Sequence, residues 1–331
     1  MTAMPPRPRP FILVVNGRKV RQPVFVFGAP HSGTDLIMRA LKRAPEFHVT
    51  VGQPSVLNVV FALARTPSIQ QGRGEAAATV LRDAFAQAWQ VAPHACMTCL
   101  PECQQATVRS LAGTCVDERD IRRYGDASPA LIYCADALVD AFPDARFVQI
   151  VRDGRAVSAA MLSDPDELAW FRRGVANVEN EFPNPFYGIE TEVDRAAWPT
   201  LSAAGRCAMR WRGSVHKMAR LRNALGADQL TTFRYEQVIV EPRAAATSLS
   251  EFVEAKVAAI DVPHNMRETG AWRRLLSPAQ LAEIEKVAGQ QLRRVGYGDL
   301  PGQTARVSPC VGMFASRGGP SSTRPGSMAH D

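Results

Sequence analysis

A chain of 331 residues, 46% apolar and 21% charged, is long enough to bury one large α/β core or two small ones. No run is long enough to span a bilayer, and Phe11 to Val15, after Arg7 and Arg9, is too short for a secretory core, so a cytoplasmic protein without a membrane partner is expected. The formal charge of +7 favours anionic ligands, but no Lys/Arg block is interleaved with aromatics, which argues against a nucleic-acid partner.

Residues 1–10 are rich in Pro and Arg and read as disordered; with a hairpin start around Asn16-Gly17 they make an N-terminal arm over 1–20. Val24 to Phe27, apolar without alternation, predicts a strand covered on both faces. Gly28, Pro30, Ser32 and Gly33 break it, and Leu36, Ile37, Ala40 and Leu41 begin a helical period with Ser32 or Thr34 as a possible N-cap. Helices are predicted near Ser55–Ala64 and Glu75–Gln90, the second with Ala77, Val80, Leu81, Ala84, Phe85 and Ala88 on one face. Residues 91–120 read as irregular. They hold Cys96, Cys99 and Cys103, with His94 before and Cys115 beyond; zinc or a disulfide is an alternative there, but the i, i+3, i+7 spacing suits plain packing, and no metal is expected.

Pro129 to Phe142 predicts an amphipathic helix with Leu131, Ile132, Ala135, Leu138 and Val139 inward, and Pro143-Asp144 a turn. Arg146 to Val151 reads as a strand, from which Arg152-Asp153-Gly154 leads into a helix through Leu162. Helical stretches follow at 165–180 and 199–225, then a strand at Leu230–Arg234 and a helix with Pro242 in its first turn. Ser277-Pro278 caps a last helix to about Arg294. The alternation predicts an α/β, P-loop-like three-layer fold over 21–300: a central, largely parallel sheet flanked by helices, with a ligand at the carboxyl ends of the strands. Residues 301–331, rich in Gly, Ser and Pro, read as a disordered tail.

The stretch Pro23 to Leu41 carries the first chemical signal. Strand, loop and helix in that order leave backbone N–H groups at a helix N-terminus facing a crevice, a site for phosphate or sulfate. Gly28 and Gly33 fit the GxxxxG of a nucleotide P-loop, but Thr34 and Asp35 stand where such a loop needs Lys and Ser/Thr, which argues against an ATPase or GTPase. Arg152 offers a guanidinium fork to a second phosphate, or else an ion pair to Asp153 or another carboxylate.

Together these units resemble the PAPS-dependent sulfotransferases, particularly the bacterial and tyrosylprotein-type branch. APHSGTDL (Ala29–Leu36) is similar to the 5′-phosphosulfate loop usually written PRSGTTL, and FPDARFVQIVRDGRAVSAAM to the segment holding the donor's 3′-phosphate. FRYEQVIVEP (Phe233–Pro242) resembles the RYEDLV-x-DP segment, and TGAWRRLLSPAQLAEIEKVAGQQLRRVGY the family's closing helix. The matches run in the family's order over about residues 22–298.

The resemblance implies transfer of a sulfuryl group from PAPS, as co-substrate, to a hydroxyl of a small molecule or peptide, by in-line displacement without a metal. It implies donor contacts from His31, Ser32, Gly33, Thr34, Asp35, Arg152 and Tyr235, and makes His31 the catalytic electrophile where the family has Arg or Lys. Trp272 falls near the adenine or in the core.

The chain also departs from the family's pattern. The GDKTP segment is Gly125-Asp126-Ala127-Ser128-Pro129, without the ammonium; Gln53 replaces the usual Glu base, leaving His48 or Glu46 as candidates; Ala160 replaces a Ser. Asp35 replaces a Thr beside the donor phosphate. Two like charges about 4 Å apart repel by roughly 4 kcal/mol at an effective dielectric near 20, although Asp also suits a helix N-terminus and could fill the anion nest itself. The alternative is therefore a catalytically degenerate protein of this fold that binds a nucleotide or partner, or performs a different reaction.

Overall fold

An Asn-Gly turn joins β1 (Val14–Val15) to β2 (Arg18–Lys19) in a short antiparallel hairpin, with Asn16 and Gly17 both at positive φ as a type I′ turn needs. In the computed structural model the described residues are 12–44, 46–69, 74–91, 118–172, 175–257, 259–266 and 268–298. β3 (Val24–Gly28) is wholly buried and forms the centre of a five-stranded sheet. The other strands are β4 (Phe47–Thr50), β5 (Arg123–Asp126), β6 (Arg146–Val151) and β7 (Leu230–Arg234). All pairings are parallel, in the order β4-β5-β3-β6-β7.

Alternation along β3 separates two cores. Phe25 and Phe27 face one side, where Phe25 lies 5.1 Å from Phe85 and 5.8 Å from Phe147 by ring centroid. Val24 and Val26 face the other, against Leu36, Ile37, Val148, Ile150 and Val238. Helices α1 (Thr34–Lys42), α2 (Pro54–Arg65), α3 (Gly74–Ala88), α4 (Ala135–Ala141) and α5 (Gly154–Leu162) cover the sheet. The short α6 (Pro165–Ala169) and α7 (Glu192–Ala197) lead to the long α8 (Ala203–Ala224). After β7 come α9 (Tyr235–Val240), α10 (Pro242–Val253), α11 (Trp272–Leu275) and α12 (Pro278–Arg294).

The strand order creates one switch point. The chain leaves β3 towards β4 on one side of the sheet and leaves β6 towards β7 on the other, with α1 on the valine face and α5 on the aromatic face. The switch point lies between the carboxyl ends of β3 and β6, the place where open α/β sheets bind ligands. The two strands meet closely there: a Cβ at Gly28 would lie 2.4 Å from the Ile150 carbonyl oxygen.

The α/β expectation holds, with local differences. Pro129–Cys134 winds as a 3-10 helix before α4; residues 130–134 are all buried, so packing on all sides, not one amphipathic face, sets their conformation. Val80 is exposed, so the apolar face of α3 is narrower than its spacing suggests. Among the described residues of 165–180 only α6 is helical. Beyond it, Asn177 and Asn184 both donate to the Arg65 carbonyl (2.7 and 3.3 Å), and this long-range demand overrides the local helical pattern. Trp198–Thr200 is a separate 3-10 turn before α8, and α9 precedes the Pro242 helix. No described helix is long and apolar enough to cross a membrane. The Cys96–Cys115 segment, the arm before Ile12 and the tail after Gly298 lie outside the described residues.

The end of the fold is held by a capping box: Ser277 Oγ accepts from Gln280 N (3.2 Å) while Gln280 Oε1 accepts from Ser277 N (2.8 Å). Ser277→Ala is expected to lower unfolding free energy by about 1 kcal/mol, read as a fall in urea midpoint with an unchanged slope.

Candidate active site

The loop from β3 to α1 is built from left-handed turns. His31 (φ 60) and Gly33 (φ 94) reverse the chain so that α1 starts at Thr34 with Gly33 as N-cap and no side chain capping its N–H groups. Neither Ser32 nor Thr34 caps the helix, contrary to the sequence-based alternative, because the left-handed Gly33 takes that position. A glycine is required there on two counts, its positive φ and a Tyr235 ring atom 2.4 Å from where a Cβ would stand. Ser32 is buried, and its Oγ has no hydrogen-bond partner among the described residues. Amides that receive no side-chain cap from Gly33 and this unspent hydroxyl are the kind of donors an anion can accept from.

Arg152, at the end of β6, closes the other side. One guanidinium N–H donates to the His31 carbonyl (2.9 Å), the guanidinium lies 4.1 Å over the Tyr235 ring, and Nε has no hydrogen-bond partner among the described residues. Asp153 does not pair with it. That carboxylate caps α5 by accepting from Arg155 N (2.9 Å) and forms a buried ion pair with Arg155 (2.9 Å). Among the described residues no carboxylate lies within ion-pair distance of Arg152. Tyr235 is buried under Gly33, with its hydroxyl donating to the Met266 carbonyl (3.0 Å). Behind this layer, Glu236 accepts from Asp153 N (3.1 Å) and from the Tyr297 hydroxyl (2.5 Å), and burial pushes both groups' pKa values up. Trp272 is spent on packing: Arg155 lies 4.4 Å over its ring, and the side chain is buried.

Three carboxylates flank the site. Asp164 Oδ2 lies 3.1 Å from His31 Nε2. Asp35 sits in the first turn of α1, 3.6 Å from Arg39. Burial raises its pKa above the ordinary 3.8, against the pull of Arg39, of the backbone amides of Asp35 and Leu36, and of Arg152. Its carboxylate thus stands at the helix N-terminus where an anion would bind.

Asp126, at the end of β5, is fully buried and pushed up to about 6, chiefly by loss of water, although Thr50 Oγ1 (2.6 Å) and Ser128 N (2.8 Å) donate to it. Ser128 Oγ in turn accepts from Gly52 N (2.9 Å), fastening the rim just before Gln53, the N-cap of α2. Along the chain this segment differs from the family's pattern by a missing ammonium. The parallel register Thr50↔Asp126 makes it a structural lock.

His31, Ser32, Gly33, Thr34, Asp35, Arg152 and Tyr235 are thus brought together at one crevice. The candidate bases are not. Glu46 is exposed at the amino end of β4, the far end of a parallel strand, and His48 is buried in β4 with its ring edge-on to Tyr124. Among the described residues no group of three or more His, Cys, Asp and Glu side chains is placed to hold a metal ion.

The class of fold is a parallel α/β sheet with the β3–α1 loop and Arg152 facing each other at its switch point. The Sulfotransferase family model matches residues 23–259, and the chain belongs to that family. No curated protein matches. Among solved structures the chain is similar to the sulfotransferase domain of the olefin synthase from Synechococcus PCC 7002, at 14% identity over 84% of this chain and 95% of that one, with a TM-score of 0.44. A sulfotransferase from Alicyclobacillus acidocaldarius gives 14% identity, 85% and 98% coverage and 0.43. A mouse sulfotransferase complexed with PAP gives 12%, 83% and 86%, and 0.39.

Two outcomes follow from this geometry. Gly33→Ala should destabilise the protein by more than about 1 kcal/mol, since it combines a disfavoured φ with a clash against Tyr235, and thermal unfolding checks it. Asp35 binds its proton more tightly folded than unfolded. Its contribution is therefore fully favourable below the unfolded value of 3.8 and is lost as pH rises through the higher folded value. Asp35→Asn should flatten that decline, measured as urea midpoints across the acid range.

Proposed function

We propose that the protein moves a sulfuryl group from PAPS to a hydroxyl of a small-molecule or peptide acceptor. The observation that carries this reading is the pairing, across one switch point, of the α1 N-terminus, whose N-cap Gly33 brings no side chain, with an arginine that has no carboxylate within ion-pair distance among the described residues. A donor with a 5′-phosphosulfate and a 3′-phosphate needs two such sites. Membership of the family supports the same reaction class.

In this reading the α1 amides, Ser32 Oγ and Thr34 hold the 5′ end, with Gly33 letting the backbone approach it closely. Arg152 meets the 3′-phosphate with its remaining N–H groups, and Tyr235 forms the floor that keeps the guanidinium in place. His31 supplies the hydrogen bond or positive charge that the leaving bridging oxygen requires. Asp35 opposes a bound anion unless it takes up a proton, so donor affinity should rise as pH falls towards the range where Asp35 is protonated.

A second reading, a protein of this fold that has lost sulfuryl transfer, is favoured by three side chains at the site. Asp35 stands at the anion nest, Gln53 cannot take a proton, and buried Ala127 carries no charge.

Titration calorimetry with PAP tests the reading. Binding in the micromolar range is expected, weakened at least about tenfold by Arg152→Ala, since a charge-assisted hydrogen bond is worth about 1.5–3 kcal/mol. Asp35→Thr should tighten it near neutral pH. Absence of PAP binding at millimolar concentration overturns PAPS as the donor. PAP binding with no turnover of PAPS, restored by combining His31→Arg with Gln53→Glu, selects the degenerate reading.

A further inference from the structure

Arg152 and Tyr235 are stacked on one another, and the residues that follow them in the chain are joined as well. Asp153 N donates to Glu236 Oε1 (3.1 Å), while the Tyr297 hydroxyl, beyond the end of α12, donates to Glu236 Oε2 (2.5 Å). We propose that Glu236 and Tyr297 are positioning residues for Arg152. They tie the β6–α5 turn to α9, so that the guanidinium stays over the Tyr235 ring with its remaining N–H groups turned to the donor's 3′-phosphate. The inference rests on the donor reading above.

An arginine side chain has many rotamers, so its place depends on what holds each end. The far end rests on the His31 carbonyl and the Tyr235 ring. At the near end the Arg152 carbonyl accepts from Trp211 Nε1 (3.1 Å), and the next amide is the one taken by Glu236. Among the described residues Glu236 has no cation within ion-pair distance. Both of its partners named here are neutral donors, which points to orientation of the turn, not charge neutralisation, as its task. Tyr297 is itself fastened. Its ring is buried with the Arg234 guanidinium 4.3 Å over it, its amide donates to the Leu292 carbonyl (2.8 Å), and its carbonyl accepts from Arg155 (3.3 Å). Arg155 also pairs with Asp153 and with Glu285 of α12, a second link between the turn and the end of the fold.

Three variants test this. Tyr297→Phe keeps the ring under Arg234 and removes only the hydroxyl, and Glu236→Ala removes the carboxylate. Glu236→Gln is the conservative control. Its oxygen still accepts from Asp153 N, and its NH₂ donates to the Tyr297 oxygen, whose proton then turns to the Val151 carbonyl 3.4 Å away. In ¹H–¹⁵N spectra of the ligand-free protein, the Arg152 Nε–H is assigned by its loss in Arg152→Ala. That resonance should leave its place in the Tyr235 ring current in Tyr297→Phe and Glu236→Ala, and keep it in Glu236→Gln. PAP titrations supply the second readout. Tyr297→Phe and Glu236→Ala should weaken binding at least about fivefold, and Glu236→Gln less than about twofold. In an Arg152→Ala background the loss from Tyr297→Phe should shrink to less than about twofold, whereas a role independent of the arginine gives the same loss in both backgrounds.

An unmoved resonance, an unchanged PAP affinity, or a loss of affinity that is the same with and without Arg152 overturns the inference. A resonance that moves while no protein binds PAP overturns the donor reading and leaves the positioning of Arg152 by Glu236 and Tyr297 standing.

Discussion

Arg152 is the contact on which the candidate site depends. One N–H of its guanidinium is spent on the His31 carbonyl and one face on the Tyr235 ring, so a single side chain joins the β3–α1 loop, the end of β6 and the start of α9. The geometry is possible because β3 and β6 pair closely enough that only glycine fits at position 28. Asp153 pairs with Arg155 instead, and Glu236 takes the Asp153 amide, so neither of these neighbouring carboxylates pairs with Arg152. The arginine is positioned by backbone and ring contacts that leave its charge intact.

The electrostatics of the crevice are balanced between that charge and three carboxylates with different constraints. Asp126 is locked by Thr50 and Ser128 and, raised by burial, acts on the shape of the rim. Asp35 occupies the anion nest and is raised by burial despite two nearby arginines, so the ligand-free site already carries its own negative group. Asp164 faces the imidazole. A helix N-terminus favours an anion whether it comes from the chain or from a ligand, and the competition between the two is the central physical question at this site.

Much of this was legible along the chain. An unalternated apolar run, a Gly/Pro/Ser break and a resumed helical period specify strand, loop and helix by local rules, and the second unit repeats them from Arg146 to Leu162 with the same bounds in the structure. Local rules failed where distant groups made the demand. Asn177 and Asn184 turn towards Arg65 rather than continuing a helix, and the 3-10 segment at Pro129–Cys134 follows its burial. His48 and Glu46 are candidates by sequence position, yet Glu46 lies at the amino end of β4, opposite the carboxyl ends of the strands, and His48 is buried within β4.

By itself, then, the sequence determined the α/β class, the two strand–loop–helix units and the residue types available to an anion, because hydrophobic period, glycine and proline act within a few residues. Only the tertiary structure decided that Gly33 caps α1, that Arg152 is free of Asp153, that Thr50 locks Asp126 and that Asp164 stands beside His31. Each of these is a matter of which partner reaches a group first, and that depends on strand order and register, which no local spacing encodes.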